Sequence, residues 1–157
     1  EKIPFMAETF DLVIANHMLF YCEDLSQTCR EVARVLKKFG RFICSTYGKK
    51  HMQEVSRLVR DFDDRIVLSA DRLYERFGRE NGADILAPYF SRIFWESYKD
   101  SLLVPDAEPL ISYILSCHGN QNQYLLDKYK DFRGFVSRKT KDGFFITKDA
   151  GIFLCEK

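Results

Sequence analysis

The sequence predicts an α/β fold in which a helix connects two parallel strands. Residues 10–15 (Phe-Asp-Leu-Val-Ile-Ala) and 41–46 (Arg-Phe-Ile-Cys-Ser-Thr) are short apolar runs rich in strand-forming residues. Runs without polar alternation are typical of strands that are covered on both faces, as in a parallel sheet. A helical pattern lies between the two runs, and strand–helix–strand units of this kind are almost always right-handed crossovers.

The connecting helix has a clear start and a clear stop. Asp24 with Gln27 three residues later predicts a capping box. Apolar residues then follow at spacings of three or four, and the series is Leu25, Cys29, Val32, Leu36 and Phe39. Gly40 stands where helices commonly stop. The pattern therefore predicts one helix from Leu25 to Phe39.

The remaining residues predict further helices and two more strands. A helix is expected over residues 49–62 and short helices over 70–89. A strand follows over 90–97, continuing in another form to Val104, and then a helix opened by Asp106 and a long helix over 121–139. Residues 143–157 should end as a strand. Because the 157 residues contain no repeat and no stretch like a linker, we expect a single domain spanning 1–157.

Composition excludes several classes of function. The formal net charge of +1 gives no electrostatic argument for a nucleic-acid or membrane partner, and the short basic clusters 49–51 and 138–141 are typical of solvated faces. No apolar run approaches the ~18 residues of a membrane span. Five cysteines without CxxC pairing, and without His at metal-ligand spacing, favour a reduced cytoplasmic protein with no metal site.

The order of residues 3–46 carries a resemblance to a known family. The series is Ile3-Pro4-Phe5, Phe10-Asp11-Leu12-Val13-Ile14-Ala15-Asn16-His17, Leu19, Asp24, Glu31-Val32-Ala33-Arg34-Val35-Leu36-Lys37 and Gly40. It resembles class I methyltransferases that use S-adenosylmethionine, in the branch of small-molecule and ubiquinone-pathway-like members. The resemblance implies the C-terminal half of a Rossmann-like methyltransferase sheet, from the fourth to the seventh strand, with helices and an inserted helical region. One departure is local: Lys38-Phe39-Gly40-Arg41 replaces the family's Pro-Gly-Gly turn.

The same resemblance implies a reaction and site residues. The expected function is methyl transfer from S-adenosylmethionine to a small-molecule acceptor. Asn16, His17, Met18 and Leu19 follow the fourth strand and would contact the cofactor mainly through their backbone, while Tyr21 and Tyr47 would face the substrate. The alternative for residues 16–19 is an ordinary strand-to-helix connection. The alternative for the two tyrosines is a packing role with the hydroxyl group in contact with water. A general-base role for His17 is less favoured, because methyl transfer needs mainly alignment.

The family's glycine loop has no counterpart in this sequence. That loop follows the first strand as an acidic-x-Gly-x-Gly element, whereas no two of the eight glycines here are spaced as Gly-x-Gly. We therefore expect a partial methyltransferase domain that lacks the N-terminal half, does not bind S-adenosylmethionine alone and is inactive in isolation. Two other classes stay open: a non-catalytic interaction module derived from this fold, and a fragment of a Rossmann-like oxidoreductase.

The resemblance also implies an exposed strand edge. In the family sheet the fourth strand pairs with the first strand on one side and the fifth on the other. Without a first strand, residues 10–15 would present an apolar edge, which is a template for pairing with another chain. We expect self-association through this edge, with Leu12 and Ile14 buried on assembly.

Overall fold

The protein is described by a computed structural model that covers residues 2–69 and 72–157. The strands are β1 (Phe10–Asn16), β2 (Leu36–Tyr47), β3 (Arg92–Val104) and β4 (Phe144–Glu156). The helices are α1 (Leu25–Val35), α2 (Gln53–Phe62), α3 (Leu73–Arg76), α4 (Gly82–Leu86), α5 (Ala107–Ser116), α6 (Gln121–Leu125) and α7 (Tyr129–Thr140), with a short 3-10 turn at Leu19–Tyr21.

The strands form one mixed sheet in the order β1-β2-β4-β3. β1 and β2 run parallel, with Ile14 opposite Ile43, and α1 connects them. β2 and β4 run antiparallel, with Cys44 opposite Phe153. The predicted α/β class and the parallel strand–helix–strand unit are both confirmed.

The boundary between α1 and β2 corrects one prediction. Asp24 caps the helix as expected, since its carboxylate accepts a hydrogen bond from the Gln27 backbone N–H at 2.8 Å. The helix, however, ends at Val35 rather than at Phe39. Leu36 already pairs with Phe10 in the sheet, and the register then jumps to Arg41 opposite Leu12. A bulge takes up the three extra residues of β2 and leaves Phe39 78% exposed, with a left-handed φ of 65°.

A second correction concerns the long helix predicted over 121–139, which is two helices. After α6 the backbone N–H groups of Lys128 and Tyr129 donate to carbonyls only three residues back. These bonds close tight turns in place of the α-helical ladder. Lys128 also reaches the Asp63 carboxylate at 3.6 Å, and Leu126 is 60% exposed. The apolar spacing alone did not show this break.

The other elements follow the sequence closely. Asp106 caps α5 by accepting from the Glu108 N–H at 3.0 Å. The strand predicted over 90–97 runs from Arg92 to Val104, so the residues after 97 continue the same strand rather than another form. The tail ends as a strand, β4, as predicted. Short helices occupy the described part of 70–89, as expected; residues 70 and 71 lie outside the described residues.

The chain forms two compact units. The first comprises residues 2–49, 73–99 and 149–157, and its core packs one face of the sheet against α1 and the segment around α3 and α4. The second comprises residues 50–69, 72 and 100–148, and its core joins α2, α5 and α7. The boundary of a single domain over 1–157 stays a prediction.

Candidate functional site

The candidate site lies in the first unit, at the carboxyl ends of the parallel strands β1 and β2. In open α/β sheets this edge is where ligands bind. The loop after β1 begins with His17, and the 3-10 turn Leu19–Tyr21 follows it directly. Tyr47 is the last residue of β2. The structure therefore brings the sequence-predicted residues of both strands to one edge.

His17 has an unusual backbone conformation that β2 holds in place. Its φ of 47° is left-handed, which is uncommon for a residue other than glycine. The His17 N–H donates to the Ser45 carbonyl at 3.3 Å and to the Ser45 hydroxyl at 3.0 Å. That hydroxyl in turn donates to Asn16 Oδ1 at 3.4 Å. Ser45 thus fixes the direction in which the loop leaves the sheet.

Aromatic side chains form one wall of the site. The His17 ring stacks on Tyr47, with centroids 6.4 Å apart and planes 22° apart. Phe20 meets Tyr47 edge-on at 5.6 Å, and Tyr21 meets Phe20 edge-on at 4.7 Å. Phe20 is buried, whereas Tyr21 is 66% exposed. The wall therefore has a packed base and an exposed rim.

Exposure separates the four predicted cofactor residues. Asn16, His17 and Met18 are exposed, but Leu19 is 1% exposed and belongs to the core of the first unit. Leu19 therefore has a packing role, and a cofactor contact through its backbone stays a prediction.

Two contacts from the segment around α3 brace the site. Arg76 donates from its guanidinium to the Cys22 carbonyl at 2.8 Å, directly after the 3-10 turn. The buried Thr46 hydroxyl donates to the Phe77 carbonyl at 2.8 Å. Sequence reasoning missed Ser45, Thr46 and Arg76. Two small hydroxyl residues at the carboxyl end of an apolar strand were a usable signal, whereas Arg76 had none.

The segment before β1 is tied to α1 by one acid–base pair. Arg34 donates to the carbonyls of Ile3 and Phe5 at 3.0 and 2.9 Å, and Glu31 accepts from the Ile3 N–H at 3.0 Å. The hydrogen bond from Arg34, with that from Ile3, lowers the pKa of Glu31 to about 2. Glu31 and Arg34 lie within the residues that carry the family resemblance, so their spacing has a structural reason.

The cysteines of the first unit are packing residues. Cys29, Cys44 and Cys155 are at most 1% exposed. Burial, with neighbouring thiols, raises the pKa of Cys29 to about 11 and that of Cys155 to about 12, and burial raises the pKa of Cys44 too. Since the thiolate is the nucleophile, these side chains are unsuited to covalent catalysis. Nor do three His, Cys, Asp or Glu side chains gather as a metal site anywhere in 2–69 or 72–157.

The second unit contains a polar recess of about 290 Å³. Its lining comprises Pro105, Asp106, Ala107, Glu108, Arg133, Ser137, Thr140 and Lys141. The polar groups are largely engaged internally: Arg133 pairs with Glu108, and Ser137 donates to its own helix at 2.8 Å. These two side chains are therefore engaged within the second unit. Across the described part of the chain, no helix is both long and apolar enough to span a bilayer.

Comparison with known proteins supports a methyltransferase resemblance for the N-terminal part of the chain. A family model described as a methyltransferase domain matches residues 1–44, the segment that forms the loop after β1 and leads into β2. Residues 1–44 are therefore similar to methyltransferase domains, in a match that covers less than half of the chain. This match confirms the resemblance to class I methyltransferases and covers Asn16 to Leu19 and Tyr21, while Tyr47 lies just beyond it.

Related sequences and structures extend the comparison. Malonyl-[acyl-carrier protein] O-methyltransferases from Methylovorus sp. (strain MP688) and Nitrosospira multiformis are 33% and 36% identical over 69 and 64 residues. These matches cover 44% and 41% of this chain but only 23% and 21% of the relatives' length. The crystal structure of the YcgJ protein from Bacillus subtilis superposes with a TM-score of 0.57 at 16% identity, covering 99% of this chain and 67% of that one. The likeness to this structure shows that the chain has a Rossmann-like α/β fold.

Proposed function

We propose that the chain is part of an S-adenosylmethionine-dependent methyltransferase and that residues 16–19 line the methionine end of the cofactor. The observation that supports this most directly is the His17 turn, which Ser45 holds at the carboxyl edge of β1 inside the segment matched by the methyltransferase family. When bound, S-adenosylmethionine supplies a methyl group on a positively charged sulfur. The ring face of a tyrosine such as Tyr47 attracts cations of this kind.

The acceptor that we propose is a carboxylate on an acyl group carried by a small protein, as in the names of the Methylovorus and Nitrosospira relatives. A carboxylate oxygen attacks the methyl carbon, the carbon–sulfur bond breaks, and a methyl ester and S-adenosylhomocysteine result. The carboxylate is already ionised near neutral pH, so no general base is required. Tyr21 and Tyr47 would then orient the acceptor, and alignment would supply the rate enhancement.

Ser45→Ala tests the cofactor loop in the complete gene product. We expect weaker S-adenosylmethionine binding by calorimetry, because the His17 N–H loses its better acceptor, the hydroxyl at 3.0 Å. One hydrogen bond of this type contributes about 0.5–1.5 kcal/mol, so the expected change in Kd is about 2- to 12-fold. Ser116→Ala is the matched control, because that hydroxyl only donates to the Tyr113 carbonyl within its own helix. Equal affinities of the two variants for S-adenosylmethionine would show that Ser45 and the His17 turn are not part of the cofactor site.

Residues 1–157 alone should give no measurable heat with S-adenosylmethionine, because they include no Gly-x-Gly loop. Micromolar binding by this chain alone would show that the pocket is misplaced. If the complete gene product neither binds S-adenosylmethionine nor transfers a methyl group, the enzyme proposal fails and the interaction-module alternative replaces it.

We also propose that isolated chains associate through β1. This strand lies at one end of the sheet order, and Leu12 and Ile14 are 46% and 56% exposed on it. An exposed strand edge with apolar side chains pairs readily with another strand. In sedimentation velocity experiments Ile14→Lys should shift the chain from dimer to monomer. Leu126→Lys, at a residue with 60% exposure in the second unit, should leave the dimer intact. A monomeric parent chain would contradict the proposal.

A further inference from the structure

Helix α7 carries a large share of the protein's positive charge. Residues 128–142 contain six cationic side chains and two carboxylates, in a chain with a formal net charge of +1. Three of the cations are engaged: Lys128 with Asp63 at 3.6 Å, Arg133 with Glu108, and Lys139 with Asp61 at 3.9 Å. The residues outside 128–142 are therefore acidic on balance.

The remaining three cations lie on the solvent side of α7. Lys130 and Arg138 are eight residues apart, which places them on one stripe, and Lys141 follows at the end of the helix. Phe132 and Val136 form the opposite, fully buried side. Among the described residues, Lys130, Arg138 and Lys141 have no carboxylate within ion-pair distance. The charge on this stripe is not used in folding the second unit.

Gly134 interrupts the stripe midway between Lys130 and Arg138. A Cβ atom at this position would meet only the Arg138 guanidinium, at 3.6 Å, which is an ordinary contact with a flexible side chain. Packing within the chain therefore does not require glycine here, although glycine is unfavourable in a helix interior. A missing side chain between two unpaired cations lets the backbone of a partner approach α7 closely.

We infer that the stripe Lys130–Gly134–Arg138, extended by Lys141, docks an acidic helix of the carrier protein that holds the methyl acceptor. This inference rests on the proposed function, since the malonyl-[acyl-carrier protein] relatives indicate an acceptor delivered by a protein. The stripe spans roughly 16 Å from Lys130 to Lys141, which is about three turns of a partner helix. Acidic side chains on that helix supply the missing charges, and Gly134 sets the distance of approach.

Other polyanions fit this surface less well. A long nucleic acid would extend beyond the stripe onto a chain that is otherwise net negative, which disfavours it electrostatically. A membrane surface would call for a continuous apolar face beside the cations, whereas Phe132 and Val136 of α7 are buried in the second unit and Phe135 is partly buried there. Tyr129 is 38% exposed next to Lys130, and one such side chain is not a continuous apolar face. A compact acidic protein surface needs neither a longer cationic surface nor exposed apolar side chains.

The experiment measures binding of the complete gene product to acyl-carrier protein without an acyl group, by calorimetry at low and at high salt. We expect binding that weakens with salt, as screening requires. The double variant Lys130→Glu/Arg138→Glu should weaken it by about tenfold or more, since it places like charges opposite each other. Gly134→Gln, which leaves the net charge unchanged and suits a helix, should also weaken it by occupying the gap.

The matched control is Arg57→Glu/Lys99→Glu, which makes the same change in charge at two exposed positions outside α7. Carrier-protein binding should stay within about twofold of the parent in this control. Equal losses in both double variants, full binding by Gly134→Gln, or displacement of the carrier protein by single-stranded DNA or anionic vesicles would overturn the inference.

Failure of docking and failure of the enzyme proposal can be told apart. Methyl transfer to a malonyl thioester of a small thiol does not need a carrier protein. If the stripe variants keep that activity and lose only turnover of the protein-bound acceptor, the docking surface is supported. If the parent protein methylates the small thioester but does not bind carrier protein, the docking inference fails while the enzyme proposal stands.

Discussion

Replacing Phe153 by alanine should lower the free energy of unfolding by about 3–5 kcal/mol, the range for large-to-small changes at buried aromatic residues. Phe153 is 1% exposed and lies at the centre of the first unit. Its ring is 4.7 Å from Trp95 and 5.8 Å from Phe77, measured between centroids. A side chain on Gly82 would lie only 2.3 Å from the same ring, so α4 packs directly on it. Alanine would leave a cavity that three different elements border.

Urea unfolding followed by circular dichroism and by the fluorescence of the single tryptophan measures this effect. The midpoint should fall at an unchanged slope. Phe145→Ala is the control, since Phe145 lies on the same strand but is 54% exposed. We expect it to cost less than about 1 kcal/mol. Equal losses for the two variants would contradict the central position of Phe153.

The sequence predicted the elements around the site because their signals are local. The apolar run of β1, the Asp24 cap and the strand before Tyr47 each lie within a few residues, and the parallel pairing follows from the handedness of such crossovers. The position of Asn16 and His17 at the carboxyl edge follows from that order alone. No comparison with another protein is needed to bring these residues to Tyr47.

The details of the site depend on contacts between residues that are far apart in the chain, and the sequence did not predict these contacts. His17 takes its left-handed conformation with an acceptor on Ser45, and Arg76 reaches Cys22 from 54 residues away. Neither contact leaves a periodic pattern. The same reason explains the two errors in helix length. Phe39 continues the apolar spacing of α1, but the chain there pairs with β1 as part of β2. Leu126 continues an apolar helical spacing too, but the N–H groups of Lys128 and Tyr129 close tight turns there instead of a continuous helix.

Gly119→Ala is the second large effect that we expect, with a loss of about 3 kcal/mol or more. No pattern described in the sequence singles out Gly119. In the structure a Cβ atom there would lie 1.7 Å from the Val67 carbonyl oxygen and 2.6 Å from the Val67 carbonyl carbon. These are backbone atoms, so no rotation of a side chain relieves the overlap. Asn120 binds the same segment, since its N–H donates to the Val67 carbonyl at 2.9 Å and its side-chain oxygen accepts from the Val67 N–H at 2.7 Å.

Gly134→Ala is the matched control, because it is the same chemical change at a position with open space. There alanine should raise the free energy of unfolding by about 0.5–1 kcal/mol through its greater helix propensity. Denaturant unfolding of the two variants should therefore give shifts of opposite sign. A small loss for Gly119→Ala would mean that the 65–68 segment is free to move away from Asn120. The two hydrogen bonds between Asn120 and Val67 argue against that freedom, since moving the segment would break both together.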